Sequence, residues 1–554
     1  MVKLFKEEKL LYKVITIGVL GIILWFLWNV ADKVITGLYY PQEILEPANV
    51  ALTNLFRAGK SPYTLSALEW EVPGINYDYP FLTGLVAAGI SAITGLETYV
   101  SHYLLSYLCI IFSGILGYCV IRKYAITTVA PVLGAFLFML CHWRFGFVSA
   151  APDDFGEFLF LLTLTLAVMP KIKNKPLWCA IGVTLCFYTK QYFVFVAFGI
   201  FVYFLFYSRK TAWKFFLYTF VINLAVGAVI TIFWPLYWTY SIFFCYVGCF
   251  SGEGFGISYL LGQMKYLAAI FIGLFAVLVV ALVRVIKRIK SSGSKLSKLM
   301  PTENDALSLF VIEIPVMFLP LIFFGRNDGA FLSYFLQLWM PSVVIVALVA
   351  FERMKPEMKE WIFGLIYVGV VVFTVYFGIG KLPMHKLSEE EKAAWQKAYA
   401  IIDEYSNQGD IVYSRAMALR SFEREGGGCL CGHDGEVTLE TIDKWEKSPV
   451  FKNVFPYAGE IIRKNDLYRK KLMVLAALHQ NSLVTFETDG YSMMFSKDIV
   501  EGWSYIFVDE IVLQLGNMPY TVEFYRSNPN AIIPDDWEEN VKELEVDVDI
   551  HIEK

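Results

Sequence analysis

Seven charged side chains in a largely apolar sequence could carry out chemistry. A carboxylate can take a proton from a hydroxyl group or hold a metal ion, and a lysine or arginine can bind a phosphate. The carboxylates are Glu43, Glu46, Asp78, Asp153 and Asp154, and the cations are Lys190 and Arg326. Charges beside membrane-spanning segments are costly and usually have a function. Whether these side chains can act together depends on the segments that carry them.

Each charge also has a simpler structural explanation. Asp153 and Asp154 open an apolar stretch, where acidic residues favour the start of a helix. Lys190 and Arg326 could extend along apolar surface toward water or pair with nearby acids. Either glutamate taken alone is typical of a solvated loop. The functional interpretation therefore depends on convergence of all these residues on one face.

The composition indicates a polytopic membrane protein. The 554 residues are 57% apolar, 17% aromatic and 18% charged, with a mean hydropathy of +0.52. Soluble domains contain roughly 45–50% apolar and about 25% charged residues. A cytosolic enzyme, a disordered chain and a secreted disulfide scaffold are therefore excluded. The nine cysteines are too few for a disulfide framework.

The chain divides into two parts of opposite charge. Residues 1–380 contain 28 lysines and arginines against 20 acidic residues, whereas residues 381–554 contain 19 against 31. We predict a transmembrane domain at 1–381, with a large first outer loop at 31–80, and a soluble α/β domain at 382–554, a length sufficient for one domain. Neither part has the basic stripe of a nucleic-acid-binding protein, so we expect no nucleic-acid partner.

Apolar segments predict an all-α membrane domain of about 11–13 helices, because about 20 residues cross ~30 Å of hydrocarbon. Basic clusters that are typical of cytoplasmic loops occur at 122–123, 171–175, 209–210, 287–298 and 353–359. The first apolar run, 14–30, follows four lysines and lacks a cleavage site, which predicts a cytoplasmic N-terminus. Eleven spans then place the tail outside the cell. Segment 81–96 would break this parity if it also crossed.

Segment 177–207 tests this topology because Lys190 lies in its middle. As a single helix it would be ~46 Å long at 1.5 Å per residue. Cytoplasmic charges at both ends instead predict a helical hairpin with Lys190 at its outer tip. On this topology all seven charged residues face outward, where they suit a site for an anionic lipid headgroup. The aromatic residues Trp234, Tyr237, Trp238 and Tyr240 are typical of a belt at the membrane interface.

Five short segments occur in a distinctive order along the chain. They are 46–63 (an acidic residue, a helix, a glycine and a tyrosine), 76–82 (Asn-Tyr-Asp-Tyr-Pro-Phe-Leu), 151–153 (Ala-Pro-Asp), 189–191 (Thr-Lys-Gln) and 329–337 (Gly-Ala-Phe-Leu-Ser-Tyr-Phe-Leu-Gln). Together they resemble the GT-C class of integral-membrane glycosyltransferases, in the branch of protein mannosyltransferases and lipid A aminoarabinose transferases. The resemblance covers most of residues 10–350.

The resemblance implies a reaction and roles for these residues. Members of the class transfer a sugar, with inversion, from a polyprenyl-phosphate donor to an acceptor glycan, lipid or protein on the outer face. Glu46 would be the catalytic base, in contact with water, with Glu43 in reserve. Lys190 and Arg326 would bind the donor phosphate. Further substrate contacts are expected from Asp78, Tyr79, Asp153, Asp154, Gln191, Tyr334 and Gln337.

Three positions depart from the family pattern. Ala151, Ser333 and Gln337 replace an arginine, an asparagine and a glutamate. The missing arginine makes phosphate binding more dependent on the two predicted cations, and the glutamine removes one acid.

A divalent metal ion is the one cofactor that the sequence brings into question. Asp78, Asp153 and Asp154 are its candidate ligands, and they could equally orient the acceptor. In the tail, Cys429 and Cys431 lie in a glycine-rich segment, for which a turn, a disulfide or redox pair and a metal site all remain open. Tail aromatics such as Trp445 could stack against an acceptor glycan.

Three other functions remain open from the sequence. A non-catalytic membrane receptor or assembly subunit with the same fold would tolerate loss of Glu46. A ligase or polymerase of lipid-linked oligosaccharides would use a diphosphate donor and transfer several sugars. A transporter or flippase of lipid-linked sugars would have internal repeats and broken mid-membrane helices with buried charges. For the transferase we expect a multi-pass protein of the bacterial plasma membrane, with its active site and tail outside the cytoplasm. Its partners would be the lipid-linked donor, the acceptor and the bilayer.

Overall fold

The computed structural model describes the chain in separate stretches. These are 7–36, 46–70, 79–144, 146–244, 256–280, 283, 305–324, 332–380, 382, 386–408, 411–413, 439–464, 467, 482–487, 505–515, 518–528 and 530. Five of the residues considered above lie outside the described residues, namely Glu43, Asp78, Arg326, Cys429 and Cys431.

The first half of the chain is helical. Its helices are α1 (Leu10–Thr36), α2 (Glu46–Arg57), α3 (Leu82–Thr94), α4 (Thr98–Arg122), α5 (Val129–Cys141), α6 (Asp153–Val168), α7 (Lys175–Thr189), α8 (Val196–Tyr207) and α9 (Arg209–Phe233). Short 3-10 helices at Leu65–Glu69 and Gln191–Phe195 and a π-helical turn at Thr239–Phe244 connect them.

Helices continue to the start of the tail. They are α10 (Gly256–Ile270), α11 (Ile272–Val280), α12 (Ala306–Phe324), α13 (Leu332–Leu338), α14 (Met340–Glu352) and α15 (Glu360–Phe373), which ends in a π-helical turn at Thr374–Ile379. The tail contains α16 (Glu389–Asn407), α17 (Leu439–Glu446), α18 (Pro449–Val454) and α19 (458–464), with strands β1 (Ile411–Tyr413), β2 (Ser482–Glu487), β3 (Ile506–Leu515) and β4 (Met518–Arg526).

Several helices have the length and apolar character of membrane spans. Within the described stretches, four could cross a membrane by length and composition alone, namely Leu10–Asp32, Thr98–Arg122, Arg209–Phe233 and Glu360–Ile379. Two bent pairs, α10 with α11 (86°) and α13 with α14 (50°), bring the number to six if each is one span. With the sheet of the tail, these helices confirm the predicted fold class of a polytopic helical protein with a C-terminal α/β part. The count of 11–13 spans and the orientation stay predictions.

Helix α3 forms most of segment 81–96, whose crossing of the membrane stays open. Its 13 residues measure ~20 Å at 1.5 Å per residue, which is shorter than ~30 Å of hydrocarbon. Gly84 lies against Leu52 and Thr53 of α2, with an ideal Cβ on the glycine 3.4 Å from each side chain. The length of α3 equals that of α5 (Val129–Cys141) and does not separate a crossing from an interfacial helix. The helix packs on the loop helix α2.

The chain reverses at Lys190, as the hairpin interpretation predicts. Lys190 has an extended backbone (φ −157°, ψ 126°) that ends α7. Helix α7 runs antiparallel to α6, because Lys190 meets Asp153 and Gly182 packs on Thr163. Phe193 then packs on Gly156 near the start of α6, so α8 leaves from the same end. We call this end of the helical bundle the site end.

The opposite end of the bundle holds carboxylates with a structural role. Glu352 accepts hydrogen bonds from the backbone of Ile126 (2.5 Å) and Thr127 (2.8 Å), just before α5 begins. Glu8 accepts from the backbone of Thr128 at 2.9 Å. These bonds satisfy amides that a helix start leaves without intrahelical partners. They fix the helix whose other end leads into the candidate site.

The tail contains a small α/β unit. Its four-stranded sheet has the order β1-β2-β4-β3, parallel between β1 and β2 and antiparallel elsewhere. Helix α16 begins with a capping box between Ser388 and Glu391. Its Trp395 is fully buried against one face of the sheet and donates to the Gln514 carbonyl at 3.1 Å. The domain boundary at 381/382 stays a prediction.

Glycines let the spans approach closely. In α4, an ideal Cβ on Gly117 would lie 2.6 Å from the Phe138 ring of α5. Small residues at such crossings allow helix backbones to pack tightly in a membrane. By contrast, nothing lies within 4 Å of the position where Gly369 of α15 would carry a Cβ.

We expect Gly117→Ala to lower the free energy of unfolding by about 1–3 kcal/mol, because the added methyl group overpacks the α4–α5 contact. Gly369→Ala, the matched control, should leave stability unchanged or raise it by up to ~1 kcal/mol through helix propensity. Thermal unfolding of both purified variants in one detergent provides the comparison. Equal midpoints for the two variants would contradict the close α4–α5 packing.

Candidate active site

Asp153 is the first residue of α6 and forms the centre of the candidate site. Pro152 occupies the cap position, where there is no side-chain capping bond. The acidic first turn suits the positive end of a helix dipole, but the carboxylates of Asp153 and Asp154 point to other segments. Helix capping alone therefore does not explain this pair.

Two cations share the Asp153 carboxylate. Lys190 donates to both carboxylate oxygens at 2.8 Å, and Arg144 donates to Oδ2. The three side chains are 1–3% exposed. Asp153 and Lys190 thus meet at one end of the bundle. The assignment of Lys190 to the donor phosphate stays a prediction.

Arg144 is a site residue that the sequence analysis missed. It lies in the loop between α5 and α6, seven residues before the alanine that replaces the family's arginine. Its guanidinium also donates to the Tyr79 hydroxyl at 3.3 Å. One signal could have found it, because an arginine at the predicted outer end departs from the positive-inside bias just as Lys190 does.

Three tyrosines surround the Lys190 ammonium. Its Nζ lies 4.7 Å from the ring centroid of Tyr79, 4.9 Å from that of Tyr192 and 5.4 Å from that of Tyr334. These distances are within the range of cation–π attraction. The Tyr192 hydroxyl donates to Asp153 at 3.1 Å and is also 3.1 Å from Gln337 Oε1. Tyr79, Tyr334 and Gln337, which the sequence analysis names as substrate contacts, thus lie at this site. Tyr192 lies there too, and the sequence analysis did not name it.

We call this group the cation site. It brings Arg144 and Lys190 together with Asp153 and the tyrosine hydroxyls. Guanidinium and ammonium groups beside tyrosine hydroxyls form the charge-assisted hydrogen bonds that phosphate accepts.

Asp154 faces a separate cluster behind the cation site. Its Oδ1 lies 2.9 Å from His142 Nδ1, and Ser106 donates to its Oδ2. Glu157, one turn further along α6, lies 3.5 Å from the same His142 nitrogen. All four side chains are buried. The contacts tie the start of α6 to α4 and to the end of α5, and so hold Asp153 in place.

Glu46 is fully buried at the start of α2. Its Oε1 accepts from the Ala150 backbone N–H at 2.7 Å, and the Tyr103 hydroxyl donates to Oε2 at 3.3 Å. The expectation of a carboxylate in contact with water is therefore wrong for this conformation. The bond to Ala150 anchors the loop that leads into Asp153, three residues later.

Of the remaining predicted residues, only Gln191 lies within the described stretches. Gln191 donates to the Ser241 carbonyl at 2.6 Å, so it links the hairpin tip to the Thr239–Phe244 turn. Glu43, Asp78 and Arg326 lie outside the described residues. The segments that contain Asp78 and Arg326, 71–78 and 325–331, adjoin Tyr79 and α13 in the sequence.

The described carboxylates do not fit a divalent metal ion. No group of three or more histidine, cysteine or acidic side chains within the described stretches has metal-binding geometry. Asp153 faces two cations, which would repel a metal ion, and Asp154 already accepts from Ser106 and faces His142. Asp78 stays an untested candidate.

Because the three charges of the cation site are buried together, their removal should have unequal effects on stability. Asp153→Asn leaves two buried cations without the carboxylate that both contact, for which we expect a loss of about 3–5 kcal/mol. Lys190→Met should cost less, because Arg144 still pairs with Asp153. Lys9→Met, which removes an exposed pair with Glu360, should cost no more than about 1 kcal/mol.

Unfolding midpoints of the three variants in one detergent give this order directly. A Lys190→Met midpoint at or below that of Asp153→Asn would contradict the shared-carboxylate arrangement.

Comparison with known proteins finds relatives only among solved structures. No protein-family model and no curated protein matches the chain. The structure of ArnT from Cupriavidus metallidurans bound to undecaprenyl phosphate is 11% identical, with a TM-score of 0.46 over 91% of this chain and 98% of that chain. The archaeal oligosaccharyltransferase AglB from Archaeoglobus fulgidus, in complex with an inhibitory peptide and a dolichol-phosphate, is 9% identical, with a TM-score of 0.46 over 95% of this chain and 75% of that chain.

Proposed function

We propose that the protein is a membrane glycosyltransferase that takes a sugar from a polyprenyl-phosphate donor and transfers it to an acceptor glycan, lipid or protein. The observation that carries the proposal is the cation site, where Arg144 and Lys190 share one carboxylate beneath three tyrosines. The sequence motifs that resemble the GT-C class supply the same residues, except for Arg144 and Tyr192.

Two buried cations side by side support a role in binding the donor phosphate. In glycosyl transfer from a lipid phosphate, the bond between the anomeric carbon and the phosphate oxygen breaks, and charge accumulates on the departing phosphate. Fixed cations in a buried site stabilise such charge strongly. Arg144 and Lys190 would hold this phosphate, and Arg326 would add to them from segment 325–331.

Glu46 is the proposed base. The acceptor hydroxyl oxygen forms its bond to the anomeric carbon while its proton passes to a carboxylate. Because a single displacement inverts the anomeric centre, we expect no covalent sugar–enzyme intermediate. For Glu46 to act, its bond with Tyr103 must give way to the acceptor hydroxyl. Glu43, three residues earlier, is the reserve.

Orientation and location form part of the proposal. The basic clusters favour a site end and a tail on the outer face of a bacterial plasma membrane, with the N-terminus in the cytoplasm. Activated nucleotide sugars are absent outside the cell, so a lipid-linked donor that arrives through the bilayer suits a site at the end of apolar helices. Asp78, Tyr79, Asp154 and Tyr334 would contact substrates. A ligase or polymerase of lipid-linked oligosaccharides is the nearest enzymatic alternative, since a diphosphate would also suit the cation site.

A transporter of lipid-linked sugars is the second candidate, and one observation favours it. Glu313 is fully buried in α12, where its carboxyl group packs on Gly199 and has no hydrogen-bond partner within the described stretches. An ionisable residue inside the membrane often marks a transport path. The other charges described here gather at the ends of the helices, which favours the transferase.

Donor binding gives the first test of the cation site. We expect Lys190→Met and Arg144→Met each to weaken binding of undecaprenyl phosphate about ten- to hundred-fold, the effect of losing one hydrogen bond to a charged group. Native mass spectrometry of the purified protein in detergent measures this binding. The uncharged alcohol undecaprenol serves as the ligand control, since its binding should not respond to either variant. Equal losses for both lipids would contradict a phosphate site.

Loss of the base should leave donor binding intact. We expect Glu46→Gln to lower the transfer rate by about 10²–10⁴-fold with little change in undecaprenyl phosphate binding. The surface-glycan mass profile of a deletion strain, complemented with native or variant protein at equal abundance, reveals the transferred sugar. Full complementation by Glu46→Gln would exclude Glu46 as the base and lead next to Glu43. A strain that lacks the protein but keeps an unchanged profile would contradict the transferase proposal itself.

A further inference from the structure

The C-terminal helical unit, residues 439–464, packs on the membrane part of the chain beside the cation site. Phe243 lies in the turn after α9. Its ring centroid is 5.7 Å from that of Trp445, 5.2 Å from that of Phe451 and 5.2 Å from that of Phe455. Ile442, Ala458, Ile461 and Ile462 of the same unit are buried in this contact. Trp445 thereby packs against the membrane part of the chain, and its stacking on an acceptor glycan stays a prediction.

Lys464 connects this unit to the first outer loop. Its ammonium donates to the backbone carbonyls of Leu68 and Trp70, the latter at 2.6 Å. These carbonyls lie at the end of the 3-10 helix Leu65–Glu69. Burial lowers the pKa of Lys464, and the negative charges of Glu460 and Glu69 oppose this effect. A lysine partly withdrawn from water to hold two carbonyls is a specific contact rather than a solvated charge.

The first outer loop and the turn after α9 pack together through the rings of Tyr63, Trp234, Tyr237 and Tyr240, which we call the aromatic block. The Leu236 N–H donates to the Tyr63 carbonyl at 3.0 Å, and the Tyr63 ring lies 5.3 Å from Tyr237 and 5.7 Å from Trp234. Tyr237 and Tyr240 are buried here. The interpretation as an interfacial belt is therefore wrong for these two tyrosines.

The aromatic block reaches both sides of the cation site. Phe81, two residues after Tyr79, packs on Trp234 at 4.8 Å and on Tyr188 at 5.6 Å. Tyr188 in turn lies two residues before Lys190 in α7. Gln191 adds a direct hydrogen bond to the turn that carries Phe243, at the Ser241 carbonyl. The backbone next to Tyr79 and next to Lys190 is thus in contact with the aromatic block, and the C-terminal helical unit packs on the same cluster.

We propose that Lys464 is a positioning residue for the cation site, and that the C-terminal helical unit acts as a clamp on the first outer loop. By holding the carbonyls of Leu68 and Trp70, Lys464 keeps the block closed and thereby fixes the distance between Tyr79 and Lys190. The clamp itself does not depend on the nature of the ligand. Its effect on lipid-phosphate binding rests on the proposed function.

Lys464→Met tests the clamp, because it keeps the length of the side chain and removes its donors. Lys464→Arg retains donors for both carbonyls and serves as the rescue variant. Lys452→Met is the matched control, since Lys452 is an exposed lysine of the same helical unit. Hydrogen–deuterium exchange of residues 61–70 and 79–82 in the full chain, and binding of undecaprenyl phosphate, are the two measurements.

We expect Lys464→Met to speed exchange at least ten-fold in both segments and to weaken undecaprenyl phosphate binding several-fold, with Lys464→Arg and Lys452→Met close to the native protein. Unchanged exchange in Lys464→Met would overturn the clamp. Faster exchange at 61–70 alone, with native exchange at 79–82 and native binding, would overturn the positioning role.

Failure of the proposed function gives a different pattern. The native protein would then not bind undecaprenyl phosphate at all, and exchange at 79–82 alone would decide the positioning role. Should Lys464→Met not yield a folded protein, judged by gel filtration in detergent, Phe451→Ala tests the same clamp through the Phe243 contact. Faster exchange at 79–82 in that variant is the expected result, and native exchange would overturn the proposal.

Discussion

The arrangement of the site end depends on the burial of two cations against one carboxylate. Lys190, Arg144 and Asp153 come from a hairpin tip, a loop and a helix start, and all three are almost fully buried. Charges withdrawn from water are tolerated only when they are paired and hydrogen-bonded. The three segments are therefore held in one relative position, and the tyrosines that contact the cations follow from it.

The acidic residues of the chain differ in role because their partners differ. Glu352 accepts hydrogen bonds from backbone N–H groups just before α5, so its role is structural. Asp153 is balanced by two cations, so it is a poor proton acceptor. Glu46 has only hydrogen-bond donors among its described partners, Ala150 and Tyr103. The bond to Ala150 anchors the loop that leads into Asp153, and the role of Glu46 as the base is a proposal from its place in the sequence motif.

Close packing connects the site to the rest of the molecule. Glycines at helix crossings, such as Gly156 against Phe193, bring α6 and the hairpin tip together beneath the cation site. Above it, the aromatic block joins the first outer loop, the turn after α9 and the C-terminal helical unit. Because packed interiors transmit small displacements rather than absorb them, a contact as distant in sequence as Lys464 can influence the position of Tyr79.

The sequence by itself determined the membrane class, the acidic α/β tail, the hairpin at Lys190 and the placement of Asp153 with Lys190 at one end. Each follows from composition, from the length of apolar segments or from the position of basic clusters, which are local properties. Only the tertiary structure decided that Lys190 pairs with Asp153, that Arg144 contacts the same carboxylate, and that Glu46 is buried. These outcomes depend on which side chains of distant segments meet, and periodicity and charge patterns do not encode such contacts.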